Sequence, residues 1–127
     1  FDIKDAVVHA SINWEQCKQL TLQRGASLFK SLPKFPSVRR DLALLVDRSE
    51  QYQNIEDCIM QVGKGLLTNA FLFDVYEGDK LPADKKSYAV GMIFQDANKT
   101  LNDKAVDKTV QRILDQLNKR TGAVLRH

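Results

Sequence analysis

Two runs of alternating apolar and polar residues dominate the middle of the chain. In residues 71–76 and again in residues 87–95, apolar side chains occupy every second position. Alternation with a period of two predicts β-strands that each bury one face. The segment between them, residues 77–86, contains a glycine, a proline and mixed charges, which is typical of a loop. The pattern therefore predicts an antiparallel hairpin.

The expected register of this hairpin divides its side chains between two faces. With Tyr76 opposite Ser87 and Asp74 opposite Ala89, one face is apolar and forms the core, made of Phe71, Phe73, Val75, Tyr88, Val90, Met92 and Phe94. The other face is small and polar around a single ring, and consists of Leu72, Asp74, Tyr76, Ser87, Ala89 and Gly91. We expect any function to lie on this second face.

The flanking segments complete a recognisable order of elements. Residues 40–47 alternate as a strand, and a helix near Asn54 follows with the apolar positions Ile55, Cys58, Ile59 and Val62. A second helix begins after the N-cap Asn102 and stops at Gly122, before a short strand at residues 123–125. Right-handed crossovers then predict an α+β, ferredoxin-like βαββαβ fold, with a four-stranded antiparallel sheet, both helices on one face and the other face open.

Residues 1–34 do not fit this order. Residues 6–14 are strand-like and residues 14–22 suggest one or two helical turns, while residues 23–33 lack periodicity and end at the sequence PKFP. We expect residues 1–34 to be the end of a preceding domain plus a linker, with at most a loosely attached strand. Residues 35–127 are the predicted ferredoxin-like domain, and the start at Phe1 suggests a fragment of a longer protein.

Composition excludes some classes of protein and permits others. The chain is 43% hydrophobic and 28% charged, which is ordinary for a globular domain. The net charge of +3 permits nucleic-acid binding without requiring it. No apolar run approaches the roughly 20 residues of a membrane span. Cys17 and Cys58 are far apart in sequence, which favours reduced thiols and a cytoplasmic protein.

The open face has the character of a binding platform. Small residues beside Tyr76 leave room for a flat ligand against its ring, as when aromatic side chains stack on single-stranded RNA bases. The alternative is a strand-end tyrosine with a solvated hydroxyl. Two basic pairs, Arg39 with Arg40 and Lys85 with Lys86, flank strand starts and either hold phosphates or only aid solubility.

Catalytic and metal chemistry find little support in the residue pattern. The acidic residues Asp74, Glu77, Asp79 and Asp84 have no EF-hand spacing and are expected to be solvated. His9 and His127 stand alone, and no nucleophile with a base, acid pair or cofactor fingerprint is found. The fragment is predicted to be a binder without a cofactor.

Three segments together resemble one family. FPSVRRDLALLVD (35–47), the segment LFDVYEG with its following KS-containing strand (72–96), and KTLNDKAVDKTVQRILDQL (99–117) before GAVLR are similar to the C-terminal anticodon-binding domain of the bacterial phenylalanyl-tRNA synthetase β subunit. The resemblance implies docking on the anticodon stem-loop of phenylalanine tRNA in an (αβ)₂ enzyme. It implies that ATP, Mg²⁺ and phenylalanine bind in the α subunit, and that residues 1–34 end the catalytic-like module of the β subunit.

The same resemblance assigns roles to individual residues. It implies that Tyr76 stacks on an anticodon base, that Ser87 contacts the same region, and that Asp74 lies one step along the same face. Arg39 and Arg40 match the family's arginine pair, and Lys86 is a further candidate phosphate contact. Residues 87–94 depart from the RNP1 pattern of RNA-recognition sheets, so we expect few base contacts and low affinity in isolation.

Two other functions remain open for this topology. One is an amino-acid-sensing regulatory module, although the turn after the first strand, residues 47–52, lacks the glycine that such modules commonly use. The other is an assembly module that uses the open face against a protein partner.

Overall fold

The computed structural model describes residues 6–24 and 32–126, and the chain divides into two compact units between Leu32 and Pro33. In the first unit, residues 6–13 have no regular structure and α1 spans Trp14–Gln23. The side chain of Asn13 accepts a 3.1 Å hydrogen bond from the backbone N–H of Gln16 and so caps this helix. The predicted helical turns are confirmed. The strand predicted at residues 6–14 is wrong, because apolar alternation becomes a strand only where a neighbouring strand pairs with it. Much of the linker at residues 23–33, and His127, lie outside the described residues.

The second unit contains the predicted βαββαβ order. Its elements are β1 (Val38–Asp47), α2 (Tyr52–Gly63), β2 (Leu67–Tyr76), β3 (Lys85–Phe94), α3 (Asp103–Thr121) and β4 (Val124–Leu125). The sheet order is β2-β3-β1-β4, and each neighbouring pair is antiparallel. This is the ferredoxin-like arrangement, so the predicted fold class is confirmed.

The ends of α3 follow directly from the residues at its boundaries. Asn102 accepts a 2.9 Å hydrogen bond from the backbone N–H of Lys104, as expected of an N-cap. Gly122 adopts the left-handed conformation, with φ of 66°, and its N–H donates to the carbonyl of Asn118. Glycine carries no Cβ penalty in this conformation, which explains why the helix ends there.

Both helices cover the same face of the sheet. The sheet contributes Leu44, Val46, Tyr88, Val90, Met92 and Phe94 to one buried cluster. The helices contribute Ile55, Cys58, Ile59, Val106, Ile113 and Leu117 to the same cluster. Alternate residues of β1 and β3 therefore point away from the helices. We call this second surface, within residues 33–126, the open face.

A bulge in β2 changes which side chains reach the open face. Leu72 lies opposite Val90 and Asp74 lies opposite Ala89, so Phe73 is an extra residue in the ladder. Phe71 is consequently opposite Gly91 on the open face, and Leu72 packs against the core. The predicted core positions of Phe71 and Phe73 and the predicted open position of Leu72 are wrong, because an inserted residue inverts the alternation on one side of it.

The part of the hairpin beyond the bulge keeps the expected register. Tyr76 is opposite Ser87 and Asp74 is opposite Ala89, as predicted. Val75 lies opposite the buried Tyr88 but is itself 46% exposed, so its predicted burial in the core is also wrong. An edge strand is covered less completely than the strands at the centre of a sheet, and β2 is such an edge.

Candidate nucleic-acid interface

The centre of the open face is a shallow floor of small side chains on β3. Ser87, Ala89 and Gly91 form this floor, since they alternate with the buried residues of the same strand. The neighbouring strands add Phe71, Asp74 and Tyr76 from β2 and Asp41, Ala43 and Leu45 from β1. Neighbouring side chains cover Ser87 and Gly91, while Ala89 between them is partly exposed, so a flat ligand can lie over Ala89 between the bordering rings.

Tyr76 is held in place by two contacts. The guanidinium carbon of Arg126 lies 5.1 Å from the centroid of the Tyr76 ring, within cation–π range. On the loop after β2, Gly78 lies so close that a Cβ added there would be 2.5 Å from the Tyr76 hydroxyl oxygen. The ring is therefore positioned before any ligand binds, and part of its surface already contacts a cation.

Arg126 was not found from the sequence. Its backbone N–H donates a 2.8 Å hydrogen bond to the carbonyl of Ala43, directly after the pairing of β4 with β1. This bond anchors Arg126 at the opposite side of the sheet from β2, so its side chain must reach across the open face to meet Tyr76. No local sequence signal predicts such a contact, because it depends on the order of strands in the sheet.

Ser87 is covered in this conformation. It lies opposite Tyr76 on β2 and opposite Leu45 on β1, and it is only 4% exposed. Tyr76 contacts Arg126, which is anchored on the far side of β1, so the two side chains meet across the strands that flank Ser87. The Ser87 hydroxyl is therefore hardly accessible to a ligand in this conformation, whereas Asp74 is exposed beside the floor.

Arg39 lies on the open face, towards the other end of the floor. Its Nε donates a 2.8 Å hydrogen bond to Asp41, and this bond raises the pKa of Arg39 above its ordinary value. Its guanidinium carbon lies 5.2 Å from the ring centroid of Phe71 and 5.5 Å from that of Phe73. The Phe71 ring rests on Gly91, where an added Cβ would be 2.5 Å from its Cζ atom.

The structure does not bring Arg40 and Lys86 to the open face. Arg40 donates hydrogen bonds of 2.8 Å to Asp103 and 3.3 Å to Asp107 on α3. The Nζ of Lys86 lies 4.8 Å from the ring centroid of Tyr88, which belongs to the buried cluster. Adjacent residues of a strand point to opposite faces, so each basic pair is split between the two sides of the sheet.

A family model described as the ferredoxin-fold anticodon binding domain matches residues 33–126. The chain belongs to this family. The phenylalanine–tRNA ligase beta subunit of Bacteroides fragilis is 43% identical over 126 residues, which cover 99% of this chain and 15% of that protein. The beta subunit of Bacteroides thetaiotaomicron is 42% identical over 126 residues, with the same two coverages. That of Clostridium tetani is 44% identical over 129 residues, which cover 99% of this chain and 16% of that protein.

These relatives are much longer proteins than this chain. The chain spans about 15% of the length of these relatives. In residues 6–24 and 32–126, no three or more His, Cys, Asp or Glu side chains gather in a way that could hold a metal ion.

Several other charged groups of the domain form ion pairs with one another. In the loop after β2, Glu77 accepts a 2.8 Å hydrogen bond from Arg48. At the start of β3, Lys85 pairs with Asp47 at 2.6 Å.

The thiols of Cys17 and Cys58 are both free, and burial raises the pKa of the Cys58 thiol. No helix in the described ranges is long and apolar enough to span a membrane.

Proposed function

We propose that this domain docks the anticodon stem-loop of phenylalanine tRNA for a phenylalanine–tRNA ligase. The observation that carries the proposal is the Tyr76 ring, held by Arg126 at the edge of a floor of small side chains. An aromatic ring beside a cation is the arrangement on which single-stranded bases stack. The membership of the anticodon-binding family supports RNA as the ligand over a free amino acid or a protein.

Each residue of the site then has a distinct role. A base stacks on the exposed surface of Tyr76, and Arg126 either extends the stack or turns to a phosphate. The carboxylate of Asp74, exposed one row along the face, accepts hydrogen bonds from the amino or imino groups of a base. Ser87 joins the contact once the Tyr76–Arg126 pair opens. Arg39 is the remaining basic residue of the site.

The longer protein around this domain follows from the same proposal. It is a cytoplasmic β subunit that pairs with an α subunit in an (αβ)₂ ligase, and ATP and Mg²⁺ act in the parent enzyme rather than in this fragment. Residues 1–34 are then the end of the catalytic-like module that precedes the domain. The ligase beta subunits from three bacteria, each matched over 99% of this chain, support this context.

The direct test compares tyrosine variants in an RNA-binding titration. We expect a hairpin RNA with the anticodon-arm sequence of phenylalanine tRNA to bind weakly to the chain, and Tyr76→Ala to cost about 1–3 kcal/mol of binding free energy. Tyr76→Phe keeps the ring and should retain most of the affinity. Unchanged affinity in Tyr76→Ala would remove the stacking role from this ring.

A salt titration separates RNA binding from a protein-docking role. Because bound counterions are released from RNA, the logarithm of the binding constant should fall with that of salt concentration, with a slope near −0.7 for each phosphate contacted. A hairpin with a different anticodon should bind less tightly at every salt concentration. Binding that is independent of both salt and anticodon sequence would contradict the proposal.

A further inference from the structure

A second aromatic cluster lies on the open face, separate from Tyr76. It consists of Phe71, Phe73 and Arg39, and we call it the Arg39 cluster. The two rings have centroids 6.3 Å apart and are tilted by 53°, and the guanidinium of Arg39 lies within 5.5 Å of both centroids. Phe73 is 50% exposed. A large ring is thus presented to solvent beside a cation.

The bulge in β2 is what creates this exposure. Regular alternation would direct Phe73 into the core, but the register shift between Leu72 and Asp74 leaves it outside. Bulges recur next to functional sites, where they redirect a side chain. Phe73 fills no part of the buried cluster, so core packing does not explain why a phenylalanine occupies this position.

Arg39 is oriented by the protein and retains unused donors. The contact with Asp41 needs only the Nε–H among the five N–H donors of a guanidinium. That bond fixes one end of the guanidinium while its carbon lies near both rings, and the other donors remain able to reach a phosphate. The cluster therefore combines a ring for a base with a cation for the backbone, which is the chemistry of single-stranded nucleic-acid sites.

The Arg39 cluster is continuous with the site at Tyr76. Tyr76 is opposite Ser87, and Phe73 lies in the bulge between Leu72 and Asp74, whose partners Val90 and Ala89 are two to three residues along β3. At about 3.3 Å per residue, the two rings are about 7–10 Å apart along the strand. Nucleotides stacked about 3.4 Å apart cover this distance in about two or three steps. Ala89 lies beside this path, and its small side chain leaves the path open.

We propose that Phe73 and Arg39 form a second base-stacking position for the same single-stranded loop that Tyr76 binds. The proposal rests on the function proposed above and adds to it where the strand runs, from the Tyr76–Arg126 pair along β3 to the bulge. The observations favour RNA over a protein partner for Phe73. Its ring lies on the same face as Tyr76, and the guanidinium of Arg39 contacts both Phe73 and Phe71.

The test uses the full chain and anticodon-arm hairpins in which one loop base at a time is replaced by 2-aminopurine, whose fluorescence falls when it stacks. We expect quenching at two separate loop positions. Tyr76→Ala should restore the fluorescence at one position, and Phe73→Ala at the other. Phe73→Ala should also weaken hairpin binding by roughly 5- to 150-fold.

Control variants separate stacking from a loss of structure. Val75→Ala alters a residue of similar exposure, 46%, on the other face of the same strand, and should change neither readout. Phe73→Tyr retains a ring and should preserve the quenching. Phe73→Leu keeps an apolar side chain but no ring, so it should behave like Phe73→Ala while unfolding at the same denaturant concentration as the unmodified chain.

The outcomes distinguish this proposal from the general one. Wild-type affinity and quenching in Phe73→Ala, with Tyr76→Ala impaired, would overturn the second position and leave the anticodon-binding function standing. A loss of affinity without any position-specific recovery of fluorescence would also overturn it. If the unmodified chain bound no hairpin, both proposals would fail. If Phe73→Ala altered only a salt-independent self-association, the ring would be a protein contact.

Discussion

Tyr76 and Arg126 meet from opposite sides of the sheet, although they are far apart in the chain. Tyr76 lies on the edge strand β2, and Arg126 follows β4 at the other edge. Their 5.1 Å contact, together with the close approach of Gly78 to the hydroxyl, restricts where the ring can lie. Part of the entropy cost of ordering the ring is therefore met when the domain folds, and stacking a base costs correspondingly less.

Tyr52 supplies a residue-level prediction about stability. Its hydroxyl is buried without a hydrogen-bond partner among the described residues, and its ring packs edge-on against Tyr88 with centroids 5.9 Å apart. An unpaired buried hydroxyl costs free energy. We expect Tyr52→Phe to stabilise the chain by about 1 kcal/mol near neutral pH, measured by urea denaturation.

Tyr88 is the matched control for this substitution. Its hydroxyl donates a 2.8 Å hydrogen bond to the carbonyl of Glu50, so Tyr88→Phe should destabilise the chain by about 1 kcal/mol. The two phenylalanine variants are thus expected to move stability in opposite directions. A larger loss of stability in Tyr52→Phe than in Tyr88→Phe would show that the Tyr52 hydroxyl has a partner.

The same tyrosine predicts how stability depends on alkaline pH. Burial, and secondarily the charge of Glu56, raise the pKa of Tyr52 from 10.0 to about 12. Between these values the unfolded chain loses the phenolic proton and the folded chain keeps it, so the free energy of unfolding falls as pH rises from 10 towards 12. Tyr52→Phe should make that decline shallower, and an identical pH profile for the two proteins would contradict the assignment.

At the scale of elements, Arg40 joins β1 to α3. Its guanidinium donates to Asp103 and Asp107 in the first turns of the helix, and the Asp103 hydrogen bond is the main cause that raises the pKa of Arg40. These ion pairs are partly exposed, so they contribute little to the stability of the domain and are screened by salt. We expect Arg40→Met to lower the denaturation midpoint slightly at low salt, with a smaller difference at high salt.

The same variant tests how the two arginines differ in function. Arg40→Met should leave the affinity for the anticodon-arm hairpin within about twofold, because its side chain lies on the helix-bearing face. Arg39→Met, on the adjacent residue, changes the open face and should weaken binding more. Equal losses of affinity in both variants would contradict this division between neighbouring residues.

At the scale of the whole molecule, one core accounts for the fold of residues 33–126. Every residue of the buried cluster lies between Leu44 and Ala123, and the two ends of this range pack in the same cluster. Stability should therefore depend on this part of the chain. We expect a chain that begins at Pro33 to unfold at the same denaturant concentration as the full chain and to bind the hairpin with the same affinity.

Urea denaturation and hairpin titration of the two chain lengths together test this independence. If the shorter chain lost several kcal/mol of stability, a loss larger than that of most single substitutions, residues 1–32 would be part of the folded domain. The prediction agrees with the division of the chain between Leu32 and Pro33 and with the family match to residues 33–126.

Local chemistry made much of this fold predictable. The apolar periods of β1, β3, α2 and α3, the N-cap Asn102 and the stop at Gly122 act through residues close in sequence, so their pattern predicted element types and order. The order then predicted the sheet, because crossover handedness leaves few alternatives. The strand predicted at residues 6–14 was wrong because an apolar pattern alone supplies no strand to pair with.

The sequence by itself thus determined the fold, the helix ends and the placement of Tyr76, Asp74 and Ser87 on one face, all of which follow from short-range periodicity. Only the tertiary structure decided the rest of the candidate site. An unpaired residue at Phe73 inverted the faces of Phe71 and Leu72, and the order of strands brought Arg126 to Tyr76 and Arg39 to the phenylalanines. Bulges and contacts across a sheet arise from the packing of distant segments, which no local pattern encodes.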